Sequence, residues 1–158
     1  MKEGDRDVVL KIGQLKPFGL NVRQDFEINE RFHRKESVNG SQAVIYEFFD
    51  PSGSPFLSST AQTHLSNEDA CESVSTAYQD VSTGLNAEDV SSRNDVYRYG
   101  DQSHFGLLLA DGQPFGNYFA MCQGNTSFKV ILGGFFITDG NRWGDLIEPT
   151  LNAVVAME

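Results

Sequence analysis

Apolar and polar positions alternate with two different periods along this chain. After Ser66 the period is helical. Cys71, Val74, Tyr78, Val81 and Leu85 fall on one stripe, with Glu68, Glu72, Thr76, Gln79 and Thr83 opposite. Ser66 followed three residues later by Asp69 resembles a capping box, and Gly84 suits a C-cap. The spacing predicts a helix over 67–83 with one face on a core and an acidic face in water. Ahead of it, Ala43–Phe49 is β-branched and aromatic. It runs into the turn Asp50-Pro51-Ser52-Gly53-Ser54, from which Pro55–Gln62 returns as the second arm of a hairpin.

The second half is more strongly β. Val96–Tyr99, His104–Ala110, Asn117–Gln123 and Ser127–Ile137 are predicted strands, and Asp111-Gly112-Gln113 and Gly124-Asn125-Thr126 supply turns. Turns this short force antiparallel neighbours, because a parallel connection needs a dozen or more residues. Gly133-Gly134 reads as a bulge. A closing helix is expected around Asn141–Met157 on Trp143, Leu146, Ile147, Leu151, Val154 and Val155, broken or kinked at Pro149. The N-terminal third reads as irregular strands at Val8–Ile12 and from Gly19. The charged run Asn29–Glu36 reads as an exposed turn or short helix, and 86–95 as a polar connector. Gly53-Ser-Pro55-Phe56 recurs as Gly112-Gln-Pro114-Phe115, two hairpins meeting one turn problem. The expectation is a single α+β domain over 1–158, a mainly antiparallel sheet flanked by helices.

Twelve phenylalanines and an ordinary 22% of charged residues give this pattern a core to fold around. The net charge of −10 is uneven. Residues 1–40 carry eight Lys/Arg against seven Asp/Glu; the remainder carries four against fifteen, a net of −11. Such a body repels phosphate backbones, so nucleic acid is not an expected ligand, whereas a basic protein partner would be attracted. No apolar run is long enough to be a transmembrane segment. A mature periplasmic or envelope-associated domain would begin as this chain does, and so would a cytoplasmic protein.

Candidate chemistry is sparse. Cys71 and Cys122 are either two buried thiols or one disulfide, and neither has CxxC spacing. Metal ligation has one short pattern, His33-x-x-Glu36 on a helical turn. No cofactor is expected. Calcium is the ion that Asp111-Gly112 and Asp139-Gly140 would take most easily, though both pairs also suit plain turns. Asn39-Gly40-Ser41 and Asn125-Thr126-Ser127 match the glycosylation sequon. A hydrolase would need His104 or His64 in a cleft with a carboxylate, since no G-x-S-x-G elbow occurs.

The order of elements resembles the PsbP-like fold, shared with bacterial DcrB-type envelope proteins. The residues that carry the likeness are Val38–Phe49, the Phe128–Ile137 strand and the Leu146–Val155 helix. The resemblance implies a helix/sheet/helix sandwich and a non-enzymatic binder: an adaptor, assembly factor or immunity protein. The long 86–95 connector departs from it. The partner surface expected from the charge pattern is the acidic face of the first helix with its connector: Glu68, Asp69, Glu72, Asp80, Asp89 and Asp95. The competing readings are the hydrolase and a small acidic secretion chaperone.

Overall fold

The computed structural model of the chain describes residues 4–84 and 90–157. Seven strands form one sheet, every neighbouring pair antiparallel. They are β1 (Glu30–Glu36), β2 (Gln42–Phe49), β3 (Phe56–Thr63), β4 (Val90–Ser92), β5 (Gln102–Ala110), β6 (Gln113–Gln123) and β7 (Thr126–Gly133). The spatial order β1-β2-β3-β7-β6-β5-β4 is two meanders joined by one crossover, helix α1 (Asn67–Gly84). Because α1 carries the chain to the far edge, β7 returns against β3 at the centre. The class is α+β with an antiparallel sheet.

Local chemistry explains the well-formed pieces. Asp111 at φ 51° and Gly112 at φ 75° make a two-residue turn between paired Ala110 and Gln113. Two successive positive φ values are what a type I′ hairpin needs. The pair is a turn, as Asp139-Gly140 is a helix start, where Asp139 accepts from the Asn141 and Arg142 N–H groups. Pro114 enters β6 opposite Leu109, beside a register shift at Leu108/Leu109, where a missing ladder donor is tolerated.

One face of the sheet holds the main core. Val44, Tyr46, Phe48, Leu57, Phe119, Phe128 and Val130 pack under helix α2 (Gly140–Val155), which contributes Trp143, Leu146, Ile147, Leu151 and Val154. Phe105 and Phe119 meet Trp143 edge-on, with ring centres 5.4 and 6.0 Å apart. Pro149 does not break α2, which runs on through it. Pro149 and Asp145 are both exposed, so the Asp145 carbonyl that loses its partner faces water.

Four further expectations need correction. Val8–Ile12 forms no strand. Asp5–Val8, Ile12–Phe18 and Phe26–Asn29 are 3-10 turns laid over the same core. Their buried donors use distant side chains: Leu10 N–H reaches Ser59 Oγ (2.9 Å) and Ile12 N–H reaches Tyr46 Oη (3.0 Å). Glu30–Glu36 is an edge strand, not a turn or helix, so His33 and Glu36 share no helical turn. Val96–Tyr99 lies outside the sheet, and the edge strand β4 arises instead within the supposed connector. Gly133 marks no bulge. It ends β7, and the Phe56 ring fills the space a Cβ would take.

The opposite face is only half covered. Ala70 and Val74 of α1 pack on Leu108, Tyr118, Ala120 and Cys122, over β5, β6 and β7. On that side α1 reaches as far as β3, where Ser73, Val74 and Ala77 share a small cavity with Thr60 and Gln62, and no described helix packs over β1 or β2.

Candidate functional site

A disulfide holds α1 in place. Cys71, part-buried on the helix, is bridged to the buried Cys122 of β6 across 51 residues of sequence. Ser66 caps the helix by accepting from the Asp69 N–H (3.1 Å). With Val74 and Tyr78 against the sheet, Glu68, Asp69 and Glu72 are turned to solvent. Among the described residues, no ion pair involves these three carboxylates. Two of them lie in the first turn, where the helix dipole favours negative charge. Asp80 belongs to α1, but its side chain, and the whole of Asp89, lie outside the described residues. Asp95 is exposed beyond β4 and paired with Arg93 (3.5 Å). Its neighbours Val96 and Tyr97 pack toward the α2 core, away from the α1 carboxylates.

The structure adds an acid that sequence reasoning missed. Asp101 accepts from the Asn67 amide (2.9 Å) at the start of α1 and from the Gly124 N–H (3.0 Å). Only the β5–β6 register brings it there, since Gln102 pairs with Cys122. Beside the patch, Asp69, Glu72, Ser73, Thr76, Ala77 and Lys129 line an open cleft of about 410 Å³.

Neither histidine of the hydrolase reading sits with a carboxylate as hydrogen-bond partner among the described residues. His104 stacks on Tyr78, ring centres 4.8 Å apart, with its Nε2 3.3 Å from the Gln102 amide nitrogen. His64 Nε2 is 2.8 Å from Ser127 Oγ. Burial lowers the pKa of both imidazoles, and the charge of Asp69 partly offsets this at His64. Ser127 is 7% exposed, and the cavity beside it holds about 30 Å³, room for little more than a water. A cleft of about 600 Å³ lies elsewhere, between Val96–Arg98 and the first half of α2. There burial and the Glu148 charge push the Tyr97 hydroxyl's pKa upward.

No family model, curated protein or solved structure matches the chain. Among the described residues no cluster of three His, Cys, Asp or Glu could hold a metal, and no helix is long and apolar enough to cross a membrane.

Proposed function

We propose that this chain is a non-enzymatic protein-binding module, of the adaptor or immunity type suggested by its PsbP-like order of elements, that binds a basic partner and neutralises or escorts it. The supporting observation is the α1 surface. A disulfide and a cap fix the helix on the sheet with Glu68, Asp69 and Glu72 outward and, among the described residues, in no ion pair. Fixed, exposed charge of one sign steers a partner of the other and raises its association rate more than its final affinity. The disulfide supports an exported, periplasmic or envelope-associated setting, since structural bridges persist in oxidising compartments.

The test is a cross-linking capture from the native host with the wild type and with the E68K/E72K variant. A basic protein held by the first and lost by the second is expected. Association of that protein with the variant should be slower and less dependent on salt. Unchanged kinetics at low ionic strength would place the interface elsewhere.

A further inference from the structure

Eight of the eleven described lysines and arginines have a use within the fold. Arg34 pairs with Asp5 (2.7 Å), Arg23 with Asp50 (3.6 Å) and Arg93 with Asp95 (3.5 Å). Arg6, Lys16 and Arg142 lie over phenylalanine rings, while Lys11 and Arg98 donate to backbone carbonyls. Among the described residues, Arg31, Lys35 and Lys129 make no hydrogen bond, ion pair or ring contact. The sheet puts all three on one side. Phe32 packs on Tyr46 in the main core, so the alternate β1 residues Arg31, His33 and Lys35 point to the opposite face. His33, Ile45, Thr60 and Lys129 share one row across β1, β2, β3 and β7 on that face. α1 borders this row at Thr60 and Lys129 and leaves its β1–β2 end open. Glu47 faces Arg31 in register, yet no ion pair joins them.

The backbone of β1 is open as well. β1 ends the strand order, so among the described residues only β2 pairs with it. Ser37 N–H donates to Ser41 C=O (2.9 Å), continuing the β1–β2 register into the turn. Hydrogen-bonded pairs alternate in an antiparallel ladder, so His33 and Lys35 spend their backbone groups on β2. Phe32 and Arg34 then turn theirs outward, away from the sheet. On the other side of β2, the Gln42 N–H bonding to Thr63 Oγ1 (2.9 Å) fits the same alternation.

We propose that β1 is a second docking edge, at which an extended acidic segment of a partner protein adds as an eighth strand. Its main chain bonds to Phe32 and Arg34. Carboxylates at alternate positions, spaced about 6.7 Å apart, fall beside Arg31, His33 and Lys35 on the open face. An extended peptide is favoured over other polyanions because the site combines unspent backbone donors and acceptors with Arg31, His33 and Lys35 on one face at a period of two residues. A phosphate or sulfate chain has no use for either. This surface is separate from α1 and opposite in sign, and an adaptor holding a basic and an acidic partner at once would use both.

The test uses two fluorescein-labelled nine-residue peptides of one composition, four Glu among Thr and Val, with the Glu at alternate positions or in one block. Anisotropy should show the alternating peptide binding at least several-fold more tightly, with affinity falling as salt rises. R31E/K35E should weaken it by about tenfold or more, whereas K129E, some 14 Å away across three strand spacings, should change it little. Amide exchange of Phe32 and Arg34 should slow on binding while that of His33 and Lys35, already bonded to β2, stays as it was. E68K/E72K leaves this binding intact, which separates the two surfaces. Equal affinity for the two peptides, tighter binding of heparin or single-stranded DNA of matched charge, no binding at all, or unprotected Phe32 and Arg34 amides would each overturn the proposal.

Discussion

Removing the bridge between α1 and β6 is the most demanding check on this structure. Cys71 and Cys122 close a loop of 51 residues that contains most of α1 and all of β4 and β5. Loop-closure entropy for that length gives about 4 kcal/mol of stabilisation at 25 °C, acting through the unfolded chain. A domain of ordinary stability has only about 5–15 kcal/mol in total, so the loss is large. Alanine is the right replacement, because a serine hydroxyl at the fully buried Cys122 site would add a desolvation cost of its own. For C71A/C122A, urea unfolding followed by circular dichroism should show a loss of about 3–4 kcal/mol. With an unfolding slope near 2 kcal/mol per molar, the midpoint moves down by roughly 1.5–2 M. Dithiothreitol should produce a similar loss in the wild type and none in the variant. A loss below about 1 kcal/mol would refute the reasoning: the unfolded chain would already hold these segments together, or the cysteines would not be joined.

Other outcomes follow from single contacts. His64 and His104 have pKa values depressed below 6.5 by burial, so the unfolded state binds their protons first. Stability should therefore fall as pH is lowered through and below 6.5, and H64N/H104N should flatten that slope in a thermal-melt series. Tyr46 donates to Glu30 (2.6 Å) and accepts from the Ile12 N–H (3.0 Å), and burial holds its pKa well above the usual range. Tyr46→Phe should cost about 1–3 kcal/mol in urea unfolding, because it strands a buried backbone donor; a neutral result would mean that Ile12 finds another acceptor. At Gly116 an added Cβ would lie 2.0 Å from the Leu132 carbonyl oxygen, backbone that cannot swing aside. Gly116→Ala should cost about 1–3 kcal/mol or more, read from the same unfolding curves; full stability would mean that β6 and β7 sit further apart.

The sequence by itself determined the pieces whose cause is local. The I′ turn at Asp111-Gly112, the α1 stripe with its Ser66 cap, and the β2–β3 hairpin each follow from a few adjacent residues and a fixed period. The N-terminal third did not yield to that method. Val8-Val9-Leu10 looks like a strand because it is apolar, but its backbone donors are taken up by Ser59 and Tyr46, side chains far along the chain. Burial there comes from packing onto the sheet, and periodicity carries no record of it. Glu30–Glu36 looks unlike a strand because charge suits an edge and disfavours a centre, and edge position is a property of the whole sheet. The sites divide in the same way. Glu68, Asp69 and Glu72 were legible because one helix presents them together. Asp101 beside Asn67, and Lys129 on the same face as Arg31 and Lys35, were decided only by strand order and register, since residues distant in sequence become neighbours when β7 returns against β3.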